Sequence, residues 1–278
     1  MKHGIFLPPF DDLAEPRRVA RLAADAEQAG WDGFYLWDHM LAEPGMAVAE
    51  AWTTLAAIAM TTQRVRIGAM VTPLARRRPW VLARQIATLD RLCGGRLDVG
   101  IGLGDDGWRE FSAFGDEASP RTRGELLDES LEIIQDLLSG NEVARAGRHF
   151  SIDTAPVLPV PVQDPVPFWA AVRWPNRRPL ARAARLQGCF PIFAGSGQLP
   201  PPPGAADLAE LRAELAGLGA PRSLDVAVRV SLHQLADAAR PEAAAALAEA
   251  GVTWLLEAFA PGQDAAEIEA YVRSGPVR

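Results

Sequence analysis

The sequence predicts an α/β protein built as one (β/α)8 TIM barrel across residues 1–278. Short β-rich runs alternate with amphipathic helical runs from end to end. The alternation repeats eight times in 278 residues, which is the arithmetic of that barrel. No dinucleotide-binding glycine fingerprint follows the first strand, which disfavours a doubly wound sheet.

His3–Leu7 is the first apolar run and ends in a Pro/Asp turn. Pro16–Ala29 carries Val19, Leu22, Ala23 and Ala26 at helical spacing, with Pro16 suited to its first turn and Gly30 to its cap. Phe34–Trp37 is the second strand, followed by a loop through Pro44-Gly45 and a helix over Glu50–Met60. Val65–Val71 and Trp80–Leu92 form the third unit, stopped by Gly94-Gly95. Arg96–Ile101 is the fourth strand, and Thr122–Leu138 places Leu126, Leu127, Leu131, Ile134 and Leu138 on one helical face.

Residues 139–165 break the rhythm. Gly147, Pro156, Pro159, Pro161 and Pro165 mark an inserted β-excursion, expected to lie over the barrel mouth. The fifth unit is Pro167–Val172 with Arg177–Leu186, and the sixth is Cys189–Phe193 with a helix near Ala206–Leu218. Leu224–Val230 with Pro241–Ala250, and Val252–Glu257 with Asp264–Arg273, complete the set.

Composition removes several function classes. A net charge of −7 without a basic run argues against nucleic-acid binding. No apolar stretch approaches the ~18 residues of a membrane span, and the N-terminus lacks a secretory pattern, so a cytoplasmic location is expected. Cys93 and Cys189 are expected as buried free thiols. Lys2 is the only lysine and precedes the first strand, at the wrong end of a barrel for Schiff-base chemistry. His3, His39, His149 and His233 are scattered with no H-x-H pair, so no metal site is expected.

In this fold the active site lies at the C-terminal ends of the strands. After the second strand comes Trp37-Asp38-His39. A histidine there serves as a general base or as a hydrogen-bond partner of a ring cofactor, with the carboxylate tuning it; the alternative is a turn-capping Asp beside a packing His. The third strand ends Met70-Val71-Thr72-Pro73, read either as a bulge toward the axis or as a simple terminator. The fourth ends Gly100-Ile101-Gly102-Leu103-Gly104-Asp105, where alternating glycines admit a flat ligand and Asp105 supplies an acid. The fifth runs into Arg173-Trp174-Pro175-Asn176-Arg177, a helix start rich in guanidinium groups and therefore a phosphate site, or else a solvated basic turn.

Several of these segments occur together in one known family. Ala29-Gly30-Trp31-Asp32-Gly33-Phe34 leads into Trp37-Asp38-His39, and Glu50-Ala51-Trp52-Thr53 follows. Leu89-Asp90-Arg91-Leu92, Gly94-Gly95-Arg96-Leu97 and Gly100-Ile101-Gly102 come next, then Trp169-Ala170-Ala171. Over nearly its whole length the chain resembles the luciferase-like flavin-dependent oxidoreductases. The resemblance implies a barrel holding FMN or the deazaflavin coenzyme F-420 across its mouth. It also implies oxidation, reduction or monooxygenation of a small organic substrate, and a homodimer. NAD(P)H would serve as reductant, with a separate flavin reductase where FMN is used. Carried over by position, Met70, Val71 and Thr72 match the bulge beneath the ring, where the family often has a cis peptide bond. His39, with Asp38 beside it, matches the residue near the ring, and Asp105 matches an acidic position that protonates substrate. Arg173, Trp174, Asn176 and Arg177 match the phosphate cradle, and Leu103 and Gly104 fall at cofactor-binding positions after the fourth strand. Two positions depart from the pattern. Val172 stands where a glycine-like residue is expected, and Leu103 stands where some FMN members have arginine, which favours the deazaflavin. A flavin-binding barrel without catalysis is the competing reading.

Overall fold

The computed structural model describes residues 1–193 and 197–277. Eight parallel strands surround a packed bore. They are β1 (Lys2–Leu7), β2 (Gly33–Leu36), β3 (Arg66–Ala69) continued by the two-residue β4 (Thr72–Pro73), and β5 (Val99–Gly102). A hairpin, β6 (Val143–Ala146) with β7 (Ser151–Thr154), precedes β8 (Phe168–Arg173), β9 (Gly188–Ile192), β10 (Asp225–Val230) and β11 (Trp254–Ala258). The helices are α1 (Pro16–Ala29), α2 (Ala51–Thr61), α3 (Pro79–Leu92), α4 (Pro120–Leu138), α5 (Arg177–Ala183), α6 (Ala205–Gly217), α7 (Arg240–Glu249) and α8 (Ala265–Ser274).

The sheet order runs β3-β2-β1-β11-β10-β9-β8-β5-β4, and closure comes where the third strand breaks. Ile67 N donates to Arg96 O at 3.0 Å and Asp98 N donates to Ile67 O at 2.9 Å, joining β3 to the approach of β5. Beyond the break, Thr72 pairs with Ile101. The expected strand Val65–Val71 is thus two pieces separated by the cis Met70–Val71 peptide. Glycine is required at this seam: a Cβ on Gly68 would stand 2.1 Å from Asp98 O, and one on Gly100 would stand 2.4 Å from Ala69 O.

Side-chain alternation along the strands divides the core in two. Ile5, Leu7, Phe34, Ile67, Val99, Val226 and Val228 face the helices. Phe6, Tyr35, Met70, Trp169, Phe190, Trp254 and Leu256 fill the bore. Tyr35, Trp169 and Trp254 contact one another with ring centroids 5.6–5.8 Å apart, so the bore is closed at its base. Below them Tyr35 OH donates to Asp98 at 2.8 Å, and Arg66 pairs with the same carboxylate. Ligands therefore reach the bore only from the opposite rim.

The excursion lies elsewhere than expected. Arg145 on β6 pairs with Glu132 and Asp136 of α4, and the amides of His149 and Phe150 donate to Glu129 at 3.0 and 2.7 Å. The returning chain meets α3, where Asp90 accepts from Val162 N and Gln163 N at 2.7 and 2.9 Å. The segment thus runs along α4 to the C-terminal end of α3, and Gln163 Nε2 donates to Leu97 O at 2.7 Å ahead of β5, away from the mouth. Helix α5 also ends earlier than the sequence suggests, at Ala183 rather than Leu186. Cys93 and Cys189 are buried and unbridged. Among the described residues no helix is long and apolar enough to cross a membrane.

One buried acid holds the turn that delivers β3. Glu27 on α1 accepts from the amides of Gln63, Arg64 and Val65, the last at 2.9 Å. Burial raises its pKa, but these amides outweigh burial and the net value falls below the ordinary carboxylate range. A depressed carboxylate pKa contributes stability above the unfolded-state value and loses it as pH falls through the folded value. Glu27→Ala is expected to cost about 2–3 kcal/mol at neutral pH. In denaturant titrations the gap between variant and wild type should shrink below the ordinary glutamate range; a pH-independent gap would contradict this account.

Candidate active site

The C-terminal rim is built from loops that the strands end in, and its densest feature gathers around His39. Its Nδ1 lies 2.8 Å from Glu110 Oε2. Glu110 is 2% exposed and also accepts from Met40 N and from Arg76 Nη1, the latter at 2.9 Å. Burial pushes the Glu110 pKa up. The hydrogen bond and charge of His39, the Met40 amide and Arg76 outweigh it and hold the value below the ordinary carboxylate range. Glu110 is therefore an ionised acceptor, so the proton on this hydrogen bond belongs to His39 Nδ1; whenever the ring is neutral, Nε2 is its acceptor. Three aromatic rings surround the imidazole: Trp108 at 5.0 Å, Trp37 at 5.7 Å and Phe10 at 5.9 Å between centroids. Phe10 also borders a cavity of about 250 Å³ enclosed by the loops after β1 and β11.

Asp38 is buried and saturated by arginine. Arg76 Nη2 donates to its Oδ1 at 2.8 Å and to its carbonyl at 2.9 Å, and Arg77 Nη2 reaches both carboxylate oxygens at 3.0 and 2.9 Å. These contacts tie the β2 loop to the turn after β4. Asp105 stands apart: it is exposed, and its carboxylate accepts from Asp106 N at 2.8 Å. No hydrogen bond or ion pair among the described residues joins it to His39.

The third and fourth strand ends form an apolar shelf. Met70 faces the bore, Val71 packs beside it, and the peptide between them is cis. A Cβ on Gly102 would stand 2.4 Å from Val71, so this floor has no room for a side chain. Gly104 has φ +73, and a Cβ there would stand 2.8 Å from Phe111 and 2.9 Å from Pro73. Thr72 is turned to the helices instead, its hydroxyl accepting from Trp52 Nε1 at 3.0 Å. Leu103 is half-buried, and its carbonyl accepts a 3.4 Å contact from Arg123.

At the fifth strand end, Arg173 and Asn176 are exposed, while Trp174 is buried against the helix-side core with a cis bond to Pro175. Arg177 pairs with Glu214 at 3.3 Å, and Arg178 pairs with Asp128 at 2.8 Å. Arg173 is the guanidinium of this group with no carboxylate partner among the described residues.

The residues present fit a flat ring cofactor with a charged tail. The shelf of Met70, Val71 and Gly102 is apolar and carries no side chain at Gly102. Trp37 Nε1 is buried without a partner at the rim, and so is Arg123 Nε beside Leu103, with Arg123 lying 4.4 Å over the Phe111 ring. Sequence reasoning missed Glu110, Arg76, Arg77 and Arg123. The Ala75-Arg76-Arg77-Arg78 run directly after the third strand end was a usable signal, because that position is part of the rim. Glu110 offered none, lying 71 residues from its partner.

A family profile described as luciferase-like monooxygenase matches residues 1–274. The chain belongs to the luciferase-like monooxygenase family. Among similar proteins is an F-420-dependent glucose-6-phosphate dehydrogenase of Nakamurella multipartita. It is 33% identical over 171 residues, covering 60% of this chain and 49% of the relative. The namesake protein of Amycolatopsis mediterranei is 34% identical over 166 residues, covering 58% and 49%. The chain spans about half the length of these curated relatives. Among solved structures, an F-420-dependent secondary alcohol dehydrogenase in complex with an F-420–acetone adduct superposes with TM-score 0.75 at 18% identity, covering 92% of each chain. The coenzyme F-420-dependent tetrahydromethanopterin reductase of Methanopyrus kandleri does so with TM-score 0.73 at 18% identity, covering 98% and 96%. At that identity the structural likeness speaks for the fold, and the family's barrel is the one described above.

Proposed function

We propose that this luciferase-like protein is an oxidoreductase that uses coenzyme F-420 to oxidise or reduce a small organic substrate. The observation that carries the reading is the His39–Glu110 pair, set in an aromatic cup on the same rim as the Met70–Val71 shelf. When bound, the deazaflavin supplies a site that accepts or donates a hydride. Met70, Val71 and Gly102 would seat its ring, and Gly104, Arg123 and Arg173 would face its phosphate. Arg177 and Asn176 complete that basin, with Trp174 and Leu103 as its apolar wall.

The protein's own part is proton handling. Nε2 of His39 takes the proton from a substrate hydroxyl, or returns it in the reverse direction, while ionised Glu110 steadies the resulting imidazolium. Asp38 serves as a positioning residue, holding the His39 loop through Arg76 and Arg77. Asp105, on its exposed loop, is the second proton-transfer group of this reading, relaying protons between solvent and substrate. Its carboxylate is solvated and would act only at the outer edge of the site.

FMN is the second cofactor to weigh, because a barrel of similar fold is the oxygenating constituent of a type II Baeyer–Villiger monooxygenase in complex with FMN. Leu103, in place of a phosphate-binding arginine, favours the deazaflavin. With FMN, a separate reductase and NAD(P)H would supply electrons. That similar proteins are F-420-dependent dehydrogenases speaks against a non-catalytic barrel. A homodimer and a cytoplasmic location belong to the same reading. Titrating the purified protein with each cofactor, followed by absorbance and fluorescence, tests the choice. Saturable deazaflavin binding with weak FMN binding is expected, and tight FMN binding without deazaflavin binding overturns it.

A further inference from the structure

Several segments contribute half-buried apolar side chains to the rim end of the bore. Val71 between β3 and β4, Ala171 on β8 and Ile192 at the end of β9 pack on the bore cluster, and so do Ala42, Met46 and Trp108 from the rim loops. The acids and arginines nearest His39 are committed to one another: Asp38 to Arg76 and Arg77, Glu110 to Arg76 and His39. Arg229 of β10 is likewise engaged. Arg173, after β8, is assigned to the cofactor's phosphate in the reading above.

Of the rings around His39, Phe10 and Trp37 are buried, at 3% and 8% exposure, whereas Trp108 is half-buried. Trp108 also stands nearest to the imidazole, so it is the ring with surface left to offer a ligand there. Its place is set by the backbone. Among the described residues, those other than glycine with positive φ are Asp11 at +49 and Arg109 at +58, and each directly follows a ring of the cup, Phe10 and Trp108. The left-handed region is costly for a residue with a Cβ and persists where surrounding structure enforces it. Arg109 N donates to Asp106 O at 2.9 Å, and the Asp106 carboxylate accepts from Phe111 N and Ser112 N at 2.8 and 3.1 Å. Asp11 is held by Ala47, whose carbonyl accepts from Asp11 N at 2.9 Å and whose amide donates to the Asp11 carboxylate at 3.0 Å. With the chain so bent at Arg109, Trp108 and Glu110 on either side of it both reach His39.

We infer that Trp108 is a specificity-determining residue that packs against an apolar, uncharged group carried by the substrate next to the reacting carbon, with Arg109 as its positioning residue. An aromatic face gains contact from a ring or an alkyl group. A charged group in the same place would lose its water without gaining a counter-ion, because the charges around His39 are already paired. This rests on the cofactor reading above and deepens it by naming the substrate class, an alcohol or carbonyl compound with an aromatic or aliphatic substituent.

The test uses deazaflavin-loaded protein and calorimetric titration with 1-phenylethanol, glycerol and glucose 6-phosphate. The loaded protein is expected to bind 1-phenylethanol more tightly than either polar probe. Trp108→Ala should weaken 1-phenylethanol by about 2- to 12-fold, the worth of an aromatic pair. Trp108→Phe should recover part of the loss, and deazaflavin affinity should be the same in both variants. Arg109→Val places a β-branched residue at a φ it disfavours and should reproduce the loss, whereas Arg109→Gly adopts that φ freely and should retain the affinity. Loss of the guanidinium alone would affect both variants equally, and that result removes Arg109 from the inference. Thermal melts report folding, and where Arg109→Val does not fold the Trp108 pair decides. Equal 1-phenylethanol affinity in wild type and Trp108→Ala overturns the inference, as does a wild type that binds glucose 6-phosphate or glycerol more tightly; either result leaves the cofactor reading standing. Failure to load deazaflavin at all sinks that reading, and this inference with it.

Discussion

Replacing His39 with alanine should lower kcat by about 10²–10⁴-fold, the range for removing a positioned general base. KM should change much less, because the aromatic cup of Phe10, Trp37 and Trp108 does not depend on the imidazole for its own packing. Added imidazole should restore part of the rate. Glu110→Gln should lower kcat by about 10–10³-fold by releasing the ring's orientation, and Glu110→Asp should recover part of that loss. The pH dependence has a defined sign. The Glu110 pKa is depressed, so its hold on His39 is complete above the ordinary glutamate range and is lost as pH falls through the lowered value. Steady-state kinetics with an accepted substrate checks each point. A His39→Ala enzyme with unaltered kcat would remove this residue from the chemistry.

Arg76→Met should have the largest effect on stability. The Arg76 side chain is 6% exposed and pairs at once with Asp38, at 2.8 Å, and Glu110, at 2.9 Å. Removing it leaves two buried carboxylates short of positive charge, and breaking such a pair costs about 3–5 kcal/mol. Arg77 still reaches Asp38 at 2.9 Å, so the strain should fall mainly on Glu110. A double-mutant cycle makes this measurable by denaturant unfolding. The Arg76→Met and Glu110→Gln changes should couple by about 0.5–3 kcal/mol, the range for contacting residues in one network. Loss of kcat in Arg76→Met without a matching loss in KM would show that the same network also orients His39. A stability change within about 0.5 kcal/mol would show that the ion pairs are peripheral.

The fold was legible because its signals are local. Val19, Leu22, Ala23 and Ala26 announce α1 by spacing alone, and α1 begins and ends at Pro16 and Ala29 as that spacing predicts. The third strand was less legible. Val65–Val71 reads as one continuous strand, β-branched or small at every position but Arg66 and Met70, and nothing within it shows that Met70–Val71 interrupts the hydrogen-bond ladder. That interruption comes from barrel closure, which brings Asp98 O against Gly68 and Ala69 O against Gly100. The excursion was recognisable by its prolines but not placeable. Its position follows from Glu129, Asp90 and Asp136, ordinary helix-surface acids until a partner segment folds onto them.

At Asp38-His39, residue type and strand end already marked a place on the rim. The sequence by itself determined the eight-unit rhythm, the absence of a usable lysine and the dipeptide's position after β2, because each depends only on neighbours in the chain. Tertiary structure alone decided what the two residues do. It set Glu110 against His39 across 71 residues and gave Asp38 to two arginines. Spacing along a chain specifies local geometry, whereas these pairings arise only when a closed barrel brings the ends of separate strands to one rim.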